Sequence, residues 1–308
     1  MTKTRREFLA AAAAAGGVLA AGGGGQAATK PHVSCNSYTW QTYYAREERD
    51  FNSSLDAGLG KVAQSGLNGY EPAILTPADI DRHAPLLKKH GLEMRSLYVN
   101  STLHTPEGVD SSISNILAIA ERARVAAGTR IIVTNPSPIR WGGPENKDDA
   151  QLRRQADAMD RLGAQLKAMG MTLAYHHHDI ELRGAAREFH HMMVGTGPGN
   201  VHLCLDAHWV YRGAGNSSVA LFDILRLYGP RIAELHLRQS VNHVWSETFG
   251  EGDLDYRALA AHLQSIRVQP HLVLEQAPEK GTPRTMTPVE AHRRSRECVD
   301  SVFSALMR

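Results

Sequence analysis

Apolar and polar positions along the chain alternate between two periods. Short apolar runs, often ending in a polar side chain, are separated by longer segments whose apolar residues recur every three or four positions. The runs read as strands and the longer segments as helices. His32 to Trp40 is the first strand, and Ser53 to Gln64 is helical. Gly69 to Ala73 ends a second strand, followed by a helix from Pro77 to His90 that closes at Gly91. Glu93 to Val99 is the third strand, and a strongly periodic helix from Ser111 to Ala127 closes at Gly128. Glycine at these positions is the usual helix stop, because it enters the left-handed region without steric cost. Thr129 to Thr134 is the fourth strand, and Asp148 to Ala168 is a long helix ending at Gly170. Four further runs, Thr172–His178, Val201–Asp206, Ile232–His236 and His271–Glu275, alternate with helices Ala185–Val194, Val219–Tyr228, Tyr256–Ser265 and Pro288–Leu306.

Strand and helix thus alternate eight times, which predicts parallel strands joined by crossover helices. Eight units in a chain of 308 residues fit a single-domain (β/α)8 TIM barrel, an α/β fold whose sites lie at the C-terminal ends of the strands. An open doubly wound sheet is the alternative. No glycine-rich dinucleotide fingerprint or phosphate loop follows any strand to support it.

The last four strands share a second property: each ends in a side chain able to bind a metal. These residues are His176, Asp206, His236 and Glu275. Side chains two apart on a strand share a face, so His178 goes with His176, Cys204 with Asp206, and Glu234 with His236. The opposite face carries Leu203, Leu205, Leu235, Leu237, Leu272 and Leu274, suited to packing under outer helices. A lone histidine or carboxylate at a strand end is commonly a core or capping residue. Recurrence at the same place in four successive strands changes the weighing, because buried charges need partners or a metal.

Composition adds little to this picture, with 42% hydrophobic and 21% charged residues. The isoelectric point near 8.4 invites a nucleic-acid reading. The whole formal excess of +2, however, is matched by Lys3, Arg5, Arg6 and Glu7 in the first 27 residues, which leaves the body neutral. A neutral body argues against a phosphate-backbone binder. Residues 1–27 carry a twin-arginine pattern, Thr4-Arg5-Arg6-Glu7-Phe8-Leu9, then an Ala- and Gly-rich apolar stretch and small residues at Gly25 and Ala27. This is an export signal with cleavage expected near Ala27, a periplasmic or exported destination, and no stable membrane insertion afterwards. The three cysteines, Cys35, Cys204 and Cys298, are read as small core residues; an odd count rules out full internal pairing. The loop from Ser240 to Gly252, carrying His243, Trp245 and Glu247, is expected to be either a lid or an ordinary surface loop.

Over residues 30–305 the chain resembles the xylose isomerase-like TIM-barrel superfamily. The resemblance rests on Tyr175-His176-His177-His178, on Leu205-Asp206-Ala207-His208-Trp209 with Gly213-Ala214-Gly215, and on Glu234-Leu235-His236-Leu237-Arg238. Gly250 to Asp255 and Leu274-Glu275 complete it. It implies a divalent ion (Mn, Co, Zn or Mg) held by His176, Asp206, His236 and Glu275. It also implies proton abstraction next to the carbonyl of a carbohydrate, with Glu275 or His178 as base and His208 or Glu181 as acid. Arg238, Trp209, Glu71 and Glu181 are the expected substrate contacts, with Glu71 at the mouth; a salt bridge from Glu181 to Arg183 or Arg187 is the competing reading. Isomerases of the superfamily often carry Glu where His176 stands, and the triple histidine looks more like the inosose dehydratase branch. The expected activity is therefore a metal-dependent sugar isomerase or epimerase, with a keto-sugar or cyclitol lyase, or a sugar-binding barrel without turnover, as alternatives. A nuclease is disfavoured by the neutral body, and a homo-oligomer is allowed.

Overall fold

The computed structural model describes residues 30–307, so the expected export signal and its expected cleavage site lie outside the described residues. Eight parallel strands form one sheet: β1 (Val33–Asn36), β2 (Gly69–Glu71), β3 (Ser96–Ser101), β4 (Ile131–Pro136), β5 (Thr172–Tyr175), β6 (Val201–Asp206), β7 (Ile232–Leu237) and β8 (His271–Leu274). Their order, β2-β1-β8-β7-β6-β5-β4-β3, is that of a ring. The edges β2 and β3 meet through isolated parallel bridges at Gly69–Glu93 and Ala73–Tyr98. Backbone bonds from Tyr98 N to Pro72 O (2.9 Å) and from Ile74 N to Tyr98 O (2.8 Å) secure that seam. The protein is a (β/α)8 TIM barrel in a single domain.

The helices between strands are α1 (Ser37–Ala45), α2 (Leu55–Gln64), α3 (Pro77–Lys89), α4 (Pro106–Ala127), α5 (Asp149–Ala168), α6 (Arg183–Val194), α7 (Ala207–Gly213), α8 (Ser218–Tyr228), α9 (Tyr256–Ser265) and α10 (Pro288–Phe303). Local chemistry sets their ends. Thr105 caps α4, accepting from Gly108 N–H, and at the other end Gly128 takes φ +69°. Asp148 and Gln151 exchange side-chain and backbone bonds at the start of α5.

Two helices differ from the sequence reading. The first strand stops at Asn36, not Trp40, because the Asn36 side chain accepts the Tyr38 N–H at 2.8 Å and turns the chain into α1. At the end of β6, Asp206 accepts the N–H groups of His208 and Trp209, both at 2.9 Å, and starts the unanticipated α7. The third strand is also shifted, beginning at Ser96, and α4 starts five residues earlier than its periodicity indicated.

The two faces of the sheet separate as period two requires. Leu203, Leu205, Leu235, Leu237, Leu272 and Leu274 all belong to the large apolar layer between strands and helices. Inside the ring a small second core of Val133, Ala174 and Cys204 packs with Tyr98 and Ile131. Two positions further along the strands the interior turns polar, and the site begins there. Cys35 and Cys204 are buried and Cys298 is half-buried, all as free thiols. No helix of the described residues is long and apolar enough to cross a membrane.

Candidate metal centre

Strand register builds the site. Asp206 lies opposite His236, and Val273 opposite His236 on the other side, so Glu275 follows one pleat further along β8. His176 continues β5 by one residue, with its N–H bonded to Thr134 O at 2.9 Å. Ligand-type atoms of His176, Asp206, His236 and Glu275 all lie within 4.8 Å of one another, and all four residues are buried. The chain therefore brings together the four residues that its sequence singles out.

His236 is the hub. Its Nδ1 lies 2.9 Å from Glu275 Oε2, and its Nε2 lies 3.1 Å from Glu234 Oε1 and 3.2 Å from Glu71 Oε2. His176 Nε2 is 3.9 Å from the same Glu275 oxygen. Both ring nitrogens of His176 and the Oδ2 of Asp206 are buried without a protein partner. Buried polar atoms are normally paired, so convergent orphans of this kind fit a bound cation. Two imidazoles and two carboxylates are a suitable donor set for a divalent metal.

Burial dominates the acid–base character of these groups. It pushes Asp206 up to about 7, helped by the Glu275 charge and opposed by Arg238. Burial also pushes Glu275 up, but Arg238 and His236 outweigh it and hold the carboxyl down at about 2. For His236, burial acts downward and is overcome by its surroundings, which hold the ring well above its ordinary value. Because burial keeps the Cys204 thiol protonated, the surroundings that count are Glu71 and Glu275. His176 is driven well below its ordinary value by burial and by neighbouring His236 and His178, which leaves a neutral imidazole. A neutral imidazole is the form that binds metal. Of the deeper carboxylates, Glu234 is pushed up to about 8 by burial and by the charge of Glu71.

Above the cluster opens a cavity of about 450 Å³. Glu275 and His178 form part of its floor. Arg238 and Trp209 stand on one side, Ala73 and Tyr98 at the β2–β3 seam, and Tyr38 and Trp141 at the rim. Arg238 is fixed by four contacts. Its Nε donates to Glu275 O at 2.9 Å, its Nη2 lies 3.1 Å from Glu275 Oε2, and its guanidinium lies over Trp245 at 4.1 Å and Trp209 at 5.1 Å. Its Nη1 and the indole N–H of Trp209 are buried and without partners. The His178 ring sits between Trp141 (centroids 5.0 Å) and Trp209 (5.5 Å), and burial lowers it to about 4, so it is neutral at pH 7.

Other expected site residues stand elsewhere. His208 does not line the cavity: its Nε2 is 2.8 Å from Ser240 Oγ, and its Nδ1 accepts from the Trp245 indole at 3.3 Å. Glu71 is not at the mouth but fully buried beneath the floor, where Asn36 Nδ2 donates to it at 2.6 Å. Glu181 makes no salt bridge with Arg183 or Arg187. It accepts the His178 N–H at 2.7 Å and the Asn135 amide at 3.2 Å, and so holds the strand-five turn. The loop after β7 folds onto the body: Trp245 is buried, and Glu247 accepts the N–H groups of Thr285 and Met286. The sequence reading missed Trp141, Tyr98 and Asn36. Asn36 ends β1, the place where its own rule looked; Tyr98 lies within β3, and Trp141 sits in a loop with no periodic signal.

A model of the xylose isomerase-like TIM barrel matches residues 59–301. The chain belongs to the xylose isomerase-like TIM-barrel family. Among curated relatives of this family member is the inosose dehydratase of Clostridium perfringens, 22% identical over an alignment of 253 residues that covers 72% of this chain and 82% of the relative. Among solved structures, the 3-keto-D-glucoside 4-epimerase of E. coli superposes with a TM-score of 0.63 at 16% identity, over 88% of this chain and 100% of that one. A xylose isomerase-like TIM-barrel protein of Mycobacterium smegmatis in complex with magnesium gives 0.67 at 13% identity, over 91% and 98%. At these identities the structures speak to the fold, which they share with this family member across nearly its whole described length.

Proposed function

We propose that this protein is a divalent-metal-dependent isomerase or epimerase of a sugar or sugar derivative, working by proton transfer at a carbon next to a carbonyl. The observation that carries the proposal is the set of four buried donors, two of them with orphaned atoms, placed directly under a cavity walled by aromatic and polar side chains. Relatives named as a sugar epimerase and an inosose dehydratase support a carbohydrate substrate. His176, Asp206, His236 and Glu275 would hold the ion, which supplies Lewis-acid polarisation of a substrate carbonyl.

The remaining work falls to the chain's own groups. Arg238, with a free Nη1 donor in a dry setting, hydrogen-bonds the substrate oxygen on which negative charge grows. Ionised Glu275 and neutral His178 both line the cavity and are the two candidate bases: one takes the proton from carbon and, once protonated, returns it itself or passes it to the other, which returns it. Trp209 and Trp141 wall the sugar on either side of His178. Glu181 holds the His178 backbone and so aims its ring. His208 is a positioning residue for Trp245, which supports Arg238.

One observation favours a second reading. Among the cavity-lining residues Glu275 is the only carboxylate, so a pair of carboxylates cannot serve the two faces of one carbon. Removal of a single proton followed by loss of a β-hydroxyl, as in a dehydratase, needs only one such base. Incubation of Mn- or Co-loaded protein in D2O with a panel of sugars, ketosugars and inososes separates the readings. Deuterium at carbon with conserved skeleton mass supports the isomerase; loss of water supports the lyase. Binding of sugar with no exchange on any substrate overturns both and leaves a binding barrel. The twin-arginine signal supports an exported enzyme acting on an unphosphorylated substrate.

A further inference from the structure

Beneath the four donors lies a second set of ionisable groups to which the proposed chemistry gives no task. Glu71 at the end of β2 and Glu234 within β7 are both fully buried. Each places one carboxylate oxygen within 3.2 Å of the same atom, His236 Nε2. Neither touches the cavity. Burying two carboxylates is costly unless they are held by partners, and a barrel interior otherwise filled by Val133, Ala174 and Cys204 gives no packing reason for them.

Asn36 supplies part of the explanation. Its amide donates to Glu71 Oε2 at 2.6 Å, while its side-chain oxygen is occupied by the Tyr38 N–H at 2.8 Å. The amide orientation is therefore fixed, and it holds the oxygen of Glu71 that faces His236. An imidazole offers its two nitrogens in different directions, and a proton held on one leaves the lone pair on the other. Acceptors stand on both sides of the ring, Glu275 Oε2 at Nδ1 and the Glu71 and Glu234 oxygens at Nε2, but Glu275 belongs to the donor set for the ion and the other two do not; the proton that stays is therefore the one on Nε2, and Nδ1 is left for the side where Glu275 and His176 converge.

We infer that Glu71 and Glu234 are positioning residues that fix His236 in the Nε2–H tautomer and so direct Nδ1 to the metal. The inference rests on the metal reading above and extends it. It reassigns Glu71 from a substrate contact to a support of the ligand shell, a place where loss of a partner costs about 10–100-fold in metal affinity.

Two measurements on the full chain test it. Titration of the metal-free protein with Co(II), followed by the visible absorption of the bound ion, gives affinities. Glu71→Ala with Glu234→Ala is expected to weaken binding about 10–100-fold and to change the Co(II) spectrum. Glu71→Gln with Glu234→Gln, which keeps a carbonyl acceptor at Nε2, recovers most of that loss. In the unmodified protein loaded with Zn(II), 15N spectra of histidine are expected to show His236 protonated at Nε2 and metallated at Nδ1; this holds even if a variant fails to fold. Metallation at Nε2, or alanine variants binding within threefold of the parent, overturns the inference while the metal site stands. A parent protein that binds neither ion overturns the metal reading itself.

Discussion

Of the three consecutive histidines after β5, the middle one makes the most demanding prediction. His177 faces away from the site, fully buried, with its ring edge-on to Phe189 of α6 at 4.8 Å between centroids. Neither ring nitrogen has a partner. Burial, together with the nearby His178, lowers its pKa from 6.5 to about 3. The folded ring therefore stays neutral where the unfolded one takes a proton. Its contribution to stability is fully present above pH 6.5 and is lost as pH falls toward about 3. At pH 5 the unfolded ring lies 1.5 pH units below its pKa, which favours unfolding by about 2 kcal/mol. His177→Leu removes this term and leaves an apolar side chain in an apolar setting. The assay is urea unfolding of parent and variant with chelator, at pH 7.5 and pH 5. The parent should lose about 2 kcal/mol more than the variant between the two conditions. Taking the difference of differences cancels packing changes and the titration of Asp206, Glu234 and His236. Equal pH dependence in the two proteins would refute the assignment of His177 as a buried neutral ring.

Other outcomes concern the site and the backbone. Adding Mn(II) or Co(II) at about 100 times its Kd should stabilise the protein by about 2.7 kcal/mol, read as a rise in Tm; Glu275→Ala should abolish the rise while circular dichroism stays that of a folded barrel. Arg238→Leu removes the main charge holding Glu275 down, so the acidic limb of kcat/KM against pH should move to higher pH as burial pushes the carboxyl up. Ala185 and Ala186 hold φ of +60° and +58°, a left-handed turn that costs an L-residue roughly 1–2 kcal/mol. Ala185→Gly should therefore raise stability in urea unfolding, by up to about 1 kcal/mol after the entropy of the added glycine.

The barrel and its four convergent donor residues were legible because both follow from period two. Leucines on one face and donors on the other specify which way each strand turns, and strand ends are where alternating units converge. The register that lets His236 meet Asp206 and Glu275 follows once the ring closes. What stayed hidden depends on single hydrogen bonds. Asn36 ends β1 four residues before the run ends at Trp40, and no pattern of hydrophobicity marks that. Asp206 was legible as a ligand but not as the cap that starts α7. Glu71 looked like a mouth residue because it ends a strand; it is instead buried, with Asn36 donating to its carboxylate. Glu181 kept two readings because its neighbours Arg183 and Arg187 are close in sequence, yet Arg183 reaches Gly143 O and Arg187 reaches Lys147 O instead.

The seam between β2 and β3 has a consequence for what can enter. Two isolated bridges join these strands where every other neighbouring pair has a ladder of at least three residue pairs, and Ala73 and Tyr98, the residues of one bridge, are also wall residues of the cavity. Widening the mouth there breaks few backbone bonds, whereas widening it between β6 and β7 would pull Asp206 from His236. Selection for bulkier guests should accordingly accumulate changes around Ala73 and Tyr98, leaving the wall that carries Asp206 and His236 untouched.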